Sequence, residues 1–128
     1  MTVVLDADGI TMLAARRARV EELRRRGEWP PVVPAAVLVE ALTGDHRRDF
    51  HENRLLRTCD VRPVEEPLAR SAARLRTAIS GGRRPSAVDA IVVAVADELG
   101  GATVITSDPR DLRALARHTV NEVNIGGG

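Results

Sequence analysis

Four acidic residues interrupt apolar segments of this chain. Asp6 closes "TVVLD", Glu40 lies inside "AAVLVEAL", Asp89 inside "SAVDAIVVAVA", and Asp108 follows "ATVITS". Glu21, Glu22, Glu65 and Glu66, by contrast, lie in charged runs and read as a solvated face. Taken singly, three of the four have a structural role open to them. Asp6 or Asp8 can cap a first helix. Asp108 can cap another, with Pro109 at the first helical position and Asp111 in the first turn, where negative charge suits the helix dipole. "SAVD", residues 86–89, matches a capping box with Ser86 as the cap. Glu40 has no such role. It lies past the start of its predicted helix, among Val37, Leu38, Val39, Ala41 and Leu42. An unpaired buried carboxylate costs several kcal/mol, so a Glu buried there must be partnered, protonated or bound to a metal.

As a set, the four acids suggest one chemistry. Carboxylates drawn together repel and raise one another's pKa values, and a divalent cation removes that conflict. An oxygen-only donor set selects Mg²⁺ or Mn²⁺ over zinc. Such a site activates water and stabilises a phosphoryl transition state. For this to happen the chain must bring residues 6 and 108 to one edge. "TVVLD" and "ATVIT" (102–106) read as buried strands, and in an open parallel sheet ligands bind beyond the carboxyl ends of the strands. If the two strands are parallel neighbours, Asp6 and Asp108 share that edge. Glu40 and Asp89 can then reach it from helices that follow connections on the same side.

The remaining pattern supplies the elements. Residues 9–26 read as helix, broken once and ending at Gly27; "WPPVV" (29–33) reads as a strand. Pro34 suits the first turn of a helix that continues to Gly44. Residues 46–57 read as helix with Phe50, Leu55 and Leu56 as apolar anchors, 59–64 as a short strand, and 66–79 as helix. A loop at 81–86 leads to a helix over 87–99 that is apolar on nearly every side and so predicted to be buried. Residues 109–117 read as helix and 120–125 as a last strand. Strands alternating with helices predict an α/β domain with a mainly parallel sheet. The expectation is one domain over 1–125 and a flexible Gly tail at 126–128.

The chain has 128 residues, 44% of them hydrophobic, enough for one core. With Trp29 and Phe50 the only members of the Phe, Trp and Tyr group, that core must be aliphatic. All 19 Lys-plus-Arg residues are Arg, and the formal net charge is +1, so no overall basic field announces nucleic acid. The single cysteine, Cys59, cannot form an internal disulfide. Neither a leader with a cleavage site nor an apolar run of membrane-spanning length stands out, and a cytoplasmic location is the expectation.

These residues, in this order, resemble the PIN-domain family, and within it the VapC-type toxins. The family pattern has an Asp ending the first strand, a Glu in an apolar helix after the second, an Asp in a late apolar helix, and an Asp after a strand ending in a Thr-x-Asp motif. Asp6, Glu40, Asp89 and Asp108 match it, the last within "VITSD", where Thr106 and Ser107 match the small polar residues that accompany the last acid. The resemblance covers almost the whole chain. It implies a three-layer α/β fold with helices flanking the sheet, and a ribonuclease dependent on Mg²⁺ or Mn²⁺. It also implies a homodimer and an antitoxin partner that occupies the active-site groove. Asp6, Asp89 and Asp108 would be the main metal ligands, with Glu40 completing the pocket. Asp8, where the family often has a small or polar residue, reads as a turn residue or an outer acid, and Asp111 ranks below Asp108.

Two other readings compete. "LDADGI" also looks like the first motif of haloacid-dehalogenase-type phosphatases. That family, like response-regulator receivers, relies on a Lys, and this chain has none; Arg is a poor substitute for a point-charge ammonium. A non-catalytic protein-binding module would explain Asp6, Asp89 and Asp108 as caps but not Glu40. RNA phosphates need positive charge near the acids, and Arg83 and Arg84, just before Asp89, are the best-placed candidates. The helix arginines 16–26, with Glu21 and Glu22 nearby, read as a solvated face. His46, His51 and His118 have no metal-ligand spacing and read as surface residues. Met12 and Leu13 with Leu55 and Leu56 read as core packing rather than a partner surface.

Overall fold

The structure, a computed structural model, describes residues 1–126. Five short strands form one sheet: β1 (Val3–Leu5), β2 (Val32–Pro34), β3 (Asp60–Arg62), β4 (Thr103–Ile105) and β5 (Asn124–Gly126). Their order is β3-β2-β1-β4-β5, and every pairing is parallel. β1 and β4 are neighbours in register, Val3 opposite Thr103 and Leu5 opposite Ile105. From β1 the strand order runs outward through β2 and β3 on one side and through β4 and β5 on the other. The topological switch point, where α/β sheets bind ligands, therefore lies between β1 and β4.

Seven helices flank the sheet: α1 (Ala7–Ala14), α2 (Arg17–Arg25), α3 (Leu38–Ala41), α4 (Phe50–Leu56), α5 (Glu66–Ala78), α6 (Ala87–Glu98) and α7 (Arg110–Ala116). Right-handed crossovers place α1–α4 on one face and α5–α7 on the other. The packing agrees: α1 meets α2, α3 and α4, while α6 crosses β1, β2 and β4 and carries α5 and α7 against it. Val92, Val93, Ala94, Val95 and Ala96 of α6 are all buried, as its all-round apolar pattern predicts. The core is aliphatic, drawn from Val3, Val4, Leu5, Ile10, Leu13, Val33, Val104, Ile105, Leu112 and Leu115 among others. Among the described residues no helix is long and apolar enough to cross a membrane.

Several expected boundaries move. The first helix starts at Ala7 rather than Gly9, so Asp8 is an exposed residue of its first turn, not a turn residue before it; the expected break falls at residues 15 and 16. Pro34 ends β2 instead of opening a long helix. A 3-10 turn (Ala35–Val37) and the four-residue α3 follow, and Leu42 is already extended. Only Val37 of this stretch is fully buried, Leu38 and Ala41 pack half-buried against the core, and Val39 is 82% exposed. Glu40 is accordingly a surface residue, not the buried carboxylate that the apolar run predicts. Phe50 is likewise exposed, while Leu55 anchors α4. Gly126 closes β5, so the boundary drawn at residue 126 falls inside the sheet; residues 127 and 128 lie outside the described residues.

One buried carboxylate is invisible in the sequence pattern. Asp49, inside the charged stretch "GDHRRD", accepts hydrogen bonds from the Thr43 N–H (2.9 Å), the Thr43 hydroxyl (2.9 Å) and the Gly44 N–H (2.9 Å). It ties down the loop that follows Glu40. Burial alone would raise its pKa. The Thr43 and Gly44 hydrogen bonds, helped by His46, outweigh that and hold Asp49 below the ordinary carboxylate value. The fold thus favours its ionised form. The stabilisation is complete above the ordinary carboxylate range and is lost as the pH falls through the lowered value. Asp49→Asn is expected to lower the melting temperature at neutral pH and to flatten the acid limb of a melting-temperature-against-pH curve. An acid limb identical to that of the parent protein would refute the assignment.

Candidate active site

The carboxyl ends of β1 and β4 face the space where the expected acids must meet. Asp6 follows β1 and is the N-cap of α1: the Gly9 N–H donates to its Oδ1 at 2.7 Å. The capping and site readings are therefore compatible, since the cap holds the carboxylate at the strand end. Burial pushes the Asp6 pKa above its ordinary value. The Thr106 hydroxyl and the Gly9 N–H work against that rise, and the charge of Asp8 adds to it. Thr106, fully buried just after β4, accepts the Asp108 N–H on its hydroxyl at 3.0 Å. Its own N–H donates to the Gly126 carbonyl at 3.0 Å.

Asp89 reaches the same space from the first turn of α6. The predicted cap at Ser86 is present, with the Asp89 N–H donating to Ser86 Oγ at 3.1 Å. The Asp89 carboxyl is half-buried, and its pKa is pushed up to about 6. Burial is the largest cause; the Ser86 hydroxyl opposes it, and the negative charges of Asp111, Asp6 and Glu40 raise it further, in that order. Three acids from three other segments thus act on Asp89 across the sheet edge. Exposed as it is, Glu40 belongs to this group.

Asp111 enters the group more strongly than its ranking in the sequence suggests. It lies in the first turn of α7 and pairs with Arg83 at 3.4 Å. Asp108 caps nothing: Pro109 holds the cap position of α7, and no side-chain cap bond is made. Its carboxylate is exposed and is not among the charges that raise Asp89. Ser107 and Arg84 are exposed. Among the described residues no three His, Cys, Asp or Glu side chains stand close enough together to hold a metal ion directly. What the residues form is a looser, oxygen-only set of acids centred on Asp89. Mg²⁺ suits such a cluster, because it takes one or two carboxylates and keeps several of its waters.

Other candidates resolve simply. His46, His51 and His118 are exposed. Cys59 is half-buried just before β3, its thiol donating to the Leu55 carbonyl at 3.3 Å; burial pushes its pKa up to about 11, which makes it a poor nucleophile. Glu22 bridges Arg19 (3.1 Å) and Arg26 (2.7 Å), so the arginines of α2 belong in part to a self-neutralised face. The residue that sequence reasoning undervalued is Gly9. A Cβ there would overlap the Ile105 carbonyl oxygen, so α1 approaches β4 closely only because this residue lacks a side chain. The signal was available as a glycine one helical turn after a strand-ending acid.

A parallel sheet in the order β3-β2-β1-β4-β5, with helices on both faces, defines a doubly wound α/β domain. The chain belongs to the PIN domain family, whose family model matches residues 3–118. Solved structures share the fold at low sequence identity. One is VapBC-1 from nontypeable Haemophilus influenzae, with a TM-score of 0.71 and 15% identity, covering 99% of this chain and 98% of that one. VapBC2 from Rickettsia felis, bound to a DNA fragment from its promoter, has a TM-score of 0.67 and 14% identity, with 100% and 99% covered. A toxin–antitoxin complex from Klebsiella pneumoniae has a TM-score of 0.63 and 20% identity, with 94% of each chain covered. No curated protein matches the chain.

Proposed function

We propose that this chain is a divalent-cation-dependent endoribonuclease and the toxin of a type II toxin–antitoxin pair. The observation that carries the reading is the shared acidic field around Asp89, at the switch point of a PIN fold. The similarity to VapBC structures and to a toxin–antitoxin complex supports the pairing with an antitoxin. Homodimerisation and a cytoplasmic location belong to the same reading. The absence of Lys continues to weigh against a phosphatase that would stabilise a phosphorylated Asp.

Asp6 and Asp89 are the principal carboxylate donors, with Asp111 or Asp108 as the third. A bound Mg²⁺ or Mn²⁺ would polarise the phosphate and lower the pKa of an attacking water. The protein contributes position. The Gly9 N–H holds Asp6 at the end of β1, and Ser86 caps the helix turn that carries Asp89. Glu40, on a short exposed helix, has the freedom to contact the cation through water or to accept the proton released in hydrolysis.

Cleavage of a defined RNA by the purified chain with Mn²⁺, abolished by EDTA, is the expected result. Protein that binds neither Mn²⁺ nor Mg²⁺ and leaves RNA intact would overturn the reading. The third donor is assigned by a pair of variants. Asp111→Asn is expected to reduce cleavage by roughly 10²-fold, the low end of the general acid–base range, and Asp108→Asn by less than about tenfold. The reverse order would return the role to the acid at the strand end.

A further inference from the structure

Beside the acidic site runs a groove of about 650 Å³ between the 78–83 segment and α7. We infer that this groove is a phosphate-backbone clamp that holds an RNA strand next to the acids. The inference deepens the ribonuclease reading and rests on it for the identity of the polymer.

The groove has a simple origin in the sequence of α7. Leu112 and Leu115 face the core. Arg110, Ala114 and Arg117 recur at helical spacing on another face, and all three line the groove, with Asp111 and His118 beside them. Ala114 is small, so the floor between the two arginines stays open. Gly81 and Gly82 contribute to the facing wall, and Arg83 completes it.

The balance of charge within this groove suits a phosphate chain. The chain as a whole carries only +1, and four arginines elsewhere are paired with acids: Arg19 and Arg26 with Glu22, Arg62 with Asp60, Arg70 with Glu66. In the groove three arginines meet one carboxylate. Asp111 takes Arg83, in an exposed pair of little stability value. Among the described residues Arg110 and Arg117 make no ion pair and no side-chain hydrogen bond. They are seven residues apart, about 10 Å along the helix axis, which is far enough to meet different phosphates of one strand. Asp111 lines the groove and also belongs to the Asp89 cluster, so a strand lying in the groove leads directly to the acids. The unpaired arginines offset the repulsion that those acids would exert on incoming phosphates.

The lining favours a phosphate polymer over an acidic protein segment. Protein interfaces rely on aromatic and large apolar anchors at their centre. Here the walls offer glycine, serine, alanine and guanidinium groups, with Ile79 the single large apolar side chain among the lining residues. Among the lining residues His118 carries the one ring, and no Phe, Trp or Tyr is present to stack a base. Recognition therefore rests on backbone charge and is indifferent to sequence.

The test measures binding of a fluorescein-labelled oligouridylate by anisotropy, in EDTA so that nothing is cleaved, over about 50 to 200 mM salt. Arg110→Gln and Arg117→Gln are each expected to weaken binding roughly three- to tenfold and to lower the slope of log affinity against log salt by about 0.7. Arg113→Gln, exposed on α7 but outside the groove, is expected to change neither. Wild-type affinity and slope in the Arg110→Gln/Arg117→Gln double variant would overturn the clamp. So would a wild-type chain that binds labelled oligoglutamate but not the RNA, which would assign the groove to an acidic protein partner. The two readings fail separately. If the arginine variants lose RNA binding while the wild type never cleaves with Mn²⁺, the clamp stands and the nuclease falls. If cleavage occurs but binding ignores Arg110 and Arg117, the nuclease stands and the clamp falls.

Discussion

Asp89→Asn is expected to abolish RNA cleavage and, in the absence of metal, to raise the melting temperature. The two effects share one cause. At neutral pH the Asp89 carboxylate is ionised within a field set by Asp111, Asp6 and Glu40, and burial makes that charge costlier. Asparagine keeps the shape and leaves the backbone N–H that donates to Ser86, so the cap of α6 survives. It removes one of the charges that repel one another and one of the oxygens that would hold a cation. Cleavage is expected to fall by at least about 10²-fold, in the range of a lost acid–base group. The cation dependence of stability gives an independent readout. A metal that binds only the folded chain raises the melting temperature as its concentration passes its dissociation constant. The parent protein is expected to show this rise with Mn²⁺, and Asp89→Asn to show little or none. A variant that keeps both the Mn²⁺-induced rise and wild-type cleavage would remove Asp89 from the site.

The strand ends were legible because they carry two signals at once. An apolar run ends in an acid at Asp6, and the run "ATVIT" leads to Asp108. The parallel pairing of β1 with β4 then brings both backbones to one edge. What the strand pattern does not specify is where each side chain goes. The Asp108 N–H is tied to the Thr106 hydroxyl while its carboxylate stays in solvent, and Asp111, three residues later on a helix, is the acid that acts most strongly on Asp89. Glu40 shows a different limit. Eight residues of mostly apolar character are too few to distinguish a buried helix from a surface turn. Pro34 closes the preceding strand, the chain turns through a 3-10 segment, and Val37 is the one fully buried residue, with Leu38 and Ala41 packed half-buried beside it. Glu40 is exposed rather than buried, and its place in the acidic field comes from position. Asp49 was unreadable because its partners, Thr43 and Gly44, belong to a loop whose path only the fold determines.

Gly9→Ala is the substitution expected to damage the fold and the site together. Helix propensity alone predicts the opposite, since alanine within a helix is favoured over glycine by about 0.5–1 kcal/mol. The added methyl group, however, would overlap the Ile105 carbonyl oxygen and come within 3.3 Å of Asp6 Oδ1. The Ile105 carbonyl belongs to the backbone of β4 and cannot rotate away as a side chain could. The start of α1 must then move off the sheet, an overpacking cost of about 1–3 kcal/mol. A net loss of roughly 1–2 kcal/mol is expected, seen as a fall of roughly 4–8 °C in melting temperature. The displacement also acts on Asp6, because the Gly9 N–H is the donor that holds its Oδ1 at 2.7 Å. Mn²⁺ affinity is therefore expected to fall by roughly 10–100-fold, as when the partner that orients a metal ligand is lost. Thr11→Ala, on an exposed position of the same helix, should leave both quantities close to the parent values. If Gly9→Ala instead melts with the parent protein and binds Mn²⁺ equally well, α1 does not depend on close contact with β4 to place Asp6, and the strand end must hold that carboxylate without help from the helix.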